Sequence, residues 1–121
     1  MSGFRTLAAY QKSYLLATSI RRMTVDFPKE ERYSMTDQIR RSSRSVSANL
    51  AESYGRRRYP KHFVAKLADA VSENYETQCW LDFALEAEYI KEETYDRYIA
   101  ASEEVGKLLS FMENHPGKYL R

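Results

Sequence analysis

Seven cations fall between Arg40 and Lys61, and their spacing limits what they could do. Arg40 and Arg44 sit one helical turn apart with Arg41 beside them. Arg56, Arg57, Arg58 and Lys61 crowd the next turn, with Tyr54, Tyr59 and His62 interleaved. A guanidinium grips phosphate through two parallel donors, and planar rings stack on unpaired bases. The set therefore suits single-stranded or irregular RNA, or the backbone of DNA. The ordinary fate of surface arginines is solvation, or pairing with the acids of a neighbour, and both readings are carried forward.

Other chemistries find less support. A di-metal bundle site needs Glu-x-x-His pairs on two helices; His62 and His115 are the only histidines and neither completes one. Cys79 and the serines at 42, 43, 45 and 47 have no histidine placed near them by sequence, so a packing role is expected for Cys79. There is no glycine-rich phosphate loop. Glu73 with Glu76, or Glu103 with Glu104, could be drawn as acid and base, but solvated faces or interhelical bonds suit them better. The expectation is a protein that is not an enzyme and has no catalytic residue, metal, cofactor or small-molecule substrate.

The elements that must position the cations follow from periodicity. Met35, Ile39, Ser42, Val46, Leu50 and Ser53 share one side of a helix over about 34–54, which leaves Arg40, Arg41 and Arg44 on the other. Asp37 suits its first turn and Gly55 its end. Along the edge of the packing side run Gln38, Ser45, Asn49 and Glu52, a polar seam. Asn49 and Glu52 are expected to be mostly buried and hydrogen-bonded, because such groups are costly to bury unpaired.

Leu7, Tyr10, Tyr14, Ala17, Ile20 and Thr24 predict an earlier helix over about 6–25, closed by Pro28. Pro60 opens a third, over about 60–88, with Phe63, Leu67, Ala70, Asn74, Thr77, Leu81 and Ala84 on its stripe. Tyr95, Tyr98, Ile99, Ser102, Val105, Leu108, Leu109 and Met112 predict a fourth over about 92–113, in which Gly106 marks a close helix contact. Four such helices joined by short turns predict an all-α fold, an antiparallel up-down-up-down four-helix bundle forming one domain over residues 1–121. In that arrangement Glu73, Asn74 and Thr77 stand level with Gln38, Ser42 and Ser45 and should form a polar layer.

The net charge of +2 conceals two opposed blocks. Residues 1–68 carry fourteen Lys/Arg against five Asp/Glu, and residues 69–113 carry three against twelve. A chain so divided suits a polyanion partner, or stacking of copies through opposite patches. One cysteine excludes an internal disulfide, and no apolar run approaches the ~20 residues of a membrane span. A reducing cytoplasm is the expected location.

The run Phe27-Pro28, Glu31, Tyr33, Gln38-Ile39-Arg40-Arg41, Ser45-Val46, Asn49-Leu50-Ala51-Glu52 and Gly55-Arg56, continued by Phe63, Leu67, Ala70, Ser72-Glu73, Glu76, Tyr89-Ile90 and Leu108-Leu109, resembles the bacterial 23S rRNA-intervening-sequence proteins, or S23 proteins. Ser53 stands where that pattern commonly has glycine. The resemblance implies an antiparallel four-helix bundle assembled as a ring-like homopentamer, and it supplies no catalytic residue. The accessory proteins of diversity-generating retroelements, which are similar, bind nucleic acid. The leading expectation is a homo-oligomer that binds RNA, or other nucleic acid, through Arg40, Arg41, Arg44, Arg56, Arg57, Arg58 and Lys61. The alternative is a scaffold whose opposed charge blocks mate between subunits.

Overall fold

A computed structural model describes all residues, Met1–Arg121, and every regular element in it is helical. The four long helices are α1 (Ala8–Met23), α2 (Met35–Gly55), α3 (Pro60–Glu86) and α4 (Glu92–Asn114). Short 3-10 turns occupy Gly3–Thr6, Thr24–Asp26, Lys29–Glu31 and Pro116–Lys118. α1 is shorter than its periodicity predicts. Its start is displaced by the turn at Gly3, where φ is +63°, and at its end the Thr24 hydroxyl donates to the Ile20 carbonyl at 2.8 Å. α3 stops two residues early because Glu88 adopts a left-handed conformation, φ 61°, and the Tyr89 amide reaches back to the Ala84 carbonyl at 2.9 Å. That is a Schellman closure with glutamate where glycine is usual.

Each helix packs on two others: α1 on α2 and α4, and α3 on α2 and α4. Cross-helix bonds show that neighbours run in opposite directions. Between α2 and α3, Ser42 meets Thr77 while Glu52 meets Lys66; between α1 and α4, Lys12 meets Glu104 while Ser19 meets Tyr98. The product is a four-helix bundle whose apolar interior forms two clusters. One gathers Ala9, Val46, Leu50, Phe63, Leu67, Ala70, Val105, Leu109 and Met112. The other gathers Leu16, Ile20, Phe27, Met35, Ile39, Leu81, Ala84 and Ile90.

Buried hydroxyls and an amide separate them. Ser13, Ser42, Ser43, Asn74 and Thr77 each lie, along their own helices, between residues of the two clusters, and Ser102 lies on α4 between Val105 of the first and Ile99, which packs against the second. Ser42 Oγ and Thr77 Oγ1 are 2.9 Å apart, and Ser13 Oγ is 2.8 Å from Ser47 Oγ. Asn74 Nδ2 donates to the Ser102 carbonyl and Ser102 Oγ donates to Asn74 Oδ1, both at 2.9 Å. Every helix contributes to this belt, at a net gain of ~1 kcal/mol for each bond well made. The Ser42–Thr77 part matches the polar layer expected from sequence, whereas Asn74 turns to α4. Gly106 makes room for it, since a Cβ there would lie 3.4 Å from Asn74 Nδ2.

The seam along α2 corrects an expectation. Glu52 is exposed, not buried, and its carboxylate meets Lys66 Nζ at 2.7 Å. Asn49 is half-buried and its Nδ2 donates to the Ser45 carbonyl of its own helix. The edge of the α2–α3 contact stays open to water at this level, so a long lysine at the rim satisfies the acid without desolvating it. Cys79 departs similarly: it is exposed on α3, not packed.

Candidate nucleic-acid interface

The structure divides the seven cations into two sets. Arg44 and Arg56 are twelve residues apart on one continuous helix, about 18 Å along its axis. The end set comprises Arg56, Arg57, Arg58 and Lys61, where α2 turns into α3. Its geometry is dictated locally. The Arg56 amide closes the α2 terminus on the Ser53 carbonyl at 2.9 Å, the Tyr59 amide returns to the Arg56 carbonyl at 2.9 Å, and Pro60 starts α3.

None of these four makes an ion pair within the chain, and Arg56, Arg58 and Lys61 are exposed. Arg57 is half-buried. Its Nε donates to the Tyr54 carbonyl at 2.8 Å, and its guanidinium carbon lies 3.4 Å from the centre of the Tyr54 ring. Tyr59 and His62 face each other 5.8 Å apart, and Tyr59 is exposed. A phosphate approaching this turn meets uncompensated positive charge beside planar rings.

The mid-helix set is less free. Arg41 is a clamp between α2 and α3: Nη1 donates to Glu73 Oε2 at 2.8 Å, Nη2 donates to Glu76, and Nε donates to Gln38 at 3.1 Å. Hydrogen bonds to Glu76 and then Glu73 raise the already high pKa of the guanidinium. Burial pushes the Glu76 carboxyl up, but the Trp80 indole N–H and Arg41 outweigh it and hold the acid below its ordinary value. Arg40 is half-buried, with Nε on Thr24 Oγ1 at 2.8 Å and Nη2 on the Arg21 carbonyl at 3.2 Å. Both acceptors are neutral, so its charge is uncancelled. Arg44 is exposed and lines a cleft between α1 and α2 with Tyr14, Thr18, Ser47 and Arg21.

Three features escaped sequence reading, two of them at the basic end. The segment after Pro116-Gly117 docks: Tyr119 stacks near Phe63 with centroids 6.3 Å apart, and the Arg121 amide donates to the Arg57 carbonyl at 3.2 Å. At the other terminus the turn at Gly3 lies against Tyr54 and carries the exposed Arg5, whose guanidinium covers the Phe4 ring at 4.5 Å. The third is Arg21, brought beside Arg44 across the α1–α2 cleft. The available signal was modest: an apolar Tyr-Leu pair beyond a helix breaker, and a glycine ahead of Phe-Arg.

Elsewhere, no group of three His, Cys, Asp or Glu side chains is placed to hold a metal ion, and no helix is long and apolar enough to cross a membrane.

Comparison with known proteins settles the lineage. A comparison with curated protein sequences returns no match. A crystal structure of a protein with unknown function, from the S23 ribosomal protein family of Bacteroides thetaiotaomicron, superposes with a TM-score of 0.80 at 31% identity, covering 88% of this chain and 95% of that one. The family model for the 23S rRNA-intervening sequence protein matches residues 5–111, which include the cationic stretch and all but the end of α4. The chain is a member of the 23S rRNA-intervening sequence protein family.

Proposed function

We propose that this protein is a non-enzymatic homo-oligomer that binds RNA, or another nucleic acid, through the basic end of the bundle. The observation that supports the reading is the turn after α2: Arg56, Arg57, Arg58 and Lys61 lack acidic partners and surround Tyr54, Tyr59 and His62. Arg44 extends the surface along α2, with Arg40 behind it, and Arg41 contributes chiefly by holding α2 to α3. Contacts of this kind read phosphate and exposed rings, with little sequence selectivity. The family is named for intervening sequences of 23S rRNA, which makes rRNA the first polymer to test.

Assembly is supported by exposed apolar side chains that a solitary bundle does not need. Leu15 on α1 and Tyr75 and Phe83 on α3 are each more than half exposed. A ring of five copies is the arrangement we propose, to be checked by native mass measurement. The rival reading has the acids of residues 69–113 neutralising the basic turn of the next copy, and Asp96 and Glu103, exposed on α4 without partners, favour it.

Affinity for a structured rRNA fragment across a salt series separates the two. Six uncompensated cations, Arg40, Arg44, Arg56, Arg57, Arg58 and Lys61, predict a log–log slope of about −4 to −5, and replacing Arg56, Arg57 and Arg58 by Ala should flatten it by about 2 to 3. A flat dependence in the wild type, or unchanged binding by the triple variant, would leave the scaffold reading.

A further inference from the structure

The outward side of α3 differs from that of the other three helices. Its most exposed line runs Ala65, Ala68, Ser72, Tyr75 and Cys79 at three-four spacing, and it carries no charge. Tyr75 is 66% exposed, and Phe83 extends the line at 51%. The exposed positions of α1 include Lys12 and Arg22, those of α2 Asp37, Arg41 and Arg44, and those of α4 Asp96, Glu103 and Lys107. α3 therefore has two sides that avoid charge. The inner one, from Phe63 to Ala84, belongs to the core, whereas the outer one faces water. Uncharged positions repeating every seven residues are the pattern of a helix that packs on another helix.

The order of residues along the line says which helix. Small side chains, Ala65, Ala68 and Ser72, fill its first half, and the larger Tyr75, Cys79 and Phe83 fill its second. Charge is ordered too. Lys61 precedes the line, Asp82 and Glu86 flank its end, and none of the three is ion-paired within the chain. An antiparallel copy of α3, related by a two-fold axis between Glu73 and Asn74, sets Ala68 level with Cys79, Ser72 with Tyr75 and Lys61 with Glu86, each twice. Asp82 then stands level with Ala65, one turn from Lys61 of the other copy. Every level joins a small side chain to a larger one, or a cation to an anion, so the two backbones approach without a void. A parallel copy would instead set Tyr75 on Tyr75 and Lys61 on Lys61.

We propose that the outer stripe of α3 is a two-fold contact between copies of this chain, antiparallel and centred between Glu73 and Asn74. Such a contact uses the same patch on both copies and cannot by itself close a ring of five. The seam goes beyond the ring arrangement: it joins two copies whether or not each also belongs to a ring. Tyr75 and Phe83 are covered by the seam, and Leu15 on α1 remains for the ring. Of the seven cations from Arg40 to Lys61, only Lys61 takes part.

A single helix seam is at the small end of specific interfaces, so covalent trapping is the suitable assay. In this register Cys79 of one copy faces position 68 of the other, while the two native cysteines stand roughly 16 Å apart along the axis, too far for a disulfide. The full-length Ala68→Cys variant, mildly oxidised with copper phenanthroline, should form disulfide-linked pairs at least tenfold faster than the wild type. Ala68→Cys combined with Cys79→Ala should be as slow as the wild type, and adding Tyr75→Glu to Ala68→Cys should abolish the acceleration. All three positions are exposed, and helical circular dichroism checks that each variant folds. No acceleration by Ala68→Cys, or a wild type that links as fast as the variant, would overturn the seam. Native mass keeps this result apart from the ring reading: five copies without Ala68→Cys linkage retain the ring and strike the seam, and linkage within a plain dimer does the reverse.

Discussion

Asn74 is the residue whose removal tests the architecture most directly. It is 3% exposed and exchanges two hydrogen bonds of 2.9 Å with Ser102, tying the middle of α3 to the middle of α4. In Asn74→Ala both bonds disappear, at ~1 kcal/mol each, and Ser102 Oγ loses its acceptor in a site closed to water. A small void under Gly106 adds to the deficit. The sum is a loss of about 2–3 kcal/mol, or roughly 8–12 °C in Tm for a chain of this length. Urea unfolding followed by helical circular dichroism measures it, with protomer concentration fixed because assembly stabilises by mass action. The companion variant Asn74→Leu with Ser102→Ala removes both side-chain groups together but keeps the Ser102 carbonyl and frees Gln78 Nε2, which donates to Ser102 Oγ at 2.9 Å, so it should recover only part of the loss. If Asn74→Ala falls within 0.5 kcal/mol of the wild type, the belt does not join the helices as described and the bonds are incidental.

Further outcomes follow from the same geometry. Glu88 is held at φ 61°, so Glu88→Gly should stabilise the protein by about 1 kcal/mol, read as a shift in urea midpoint at constant m. Arg41→Met should cost about 1 kcal/mol, discounted for its exposed position, and pairing it with Glu76→Gln should cost less than the two changes added separately. Hydrogen bonds from Ser34 and then Tyr89 hold the Glu31 carboxyl below its ordinary 4.5. The stability this contributes is present above pH 4.5 and lost as pH falls through the lower folded value; Glu31→Gln should flatten that acid limb of a stability–pH profile. Replacing Tyr59 by Ala should weaken binding to single-stranded RNA more than to duplex, measured by fluorescence anisotropy.

Much of the fold was legible because its signals are local. Pro28, Pro60 and Gly55 punctuate the chain, and the three-four spacing of Phe63, Leu67, Ala70, Thr77 and Leu81 coincides with the buried face of α3. Helix ends were missed where one residue overrode the pattern, as Glu88 does in the left-handed region and Gly3 at the start. The α2 edge was misjudged for Glu52 because periodicity assigns a direction but not the depth of the neighbour facing it; Lys66 reaches the rim and holds the carboxylate in water. For the candidate interface, sequence grouped the seven cations but could not say which were already occupied. Glu73 and Glu76 stand more than thirty residues from Arg41, and only the α2–α3 contact brings them to it. Docking of Tyr119 against Phe63 is equally long-range.

The belt of hydroxyls and amide midway along the bundle acts as a vernier. Sliding any helix by one turn would set Ser42, Asn74 or Ser102 against leucine and isoleucine, stranding several donors at once, so the four rods have one permitted alignment. Insertions or deletions in the connecting segments are then absorbed at the extremities without shifting the interior. The loop bearing the arginines consequently keeps a fixed height and azimuth relative to the opposite pole, and any symmetric array of copies would present those charges at a constant interval.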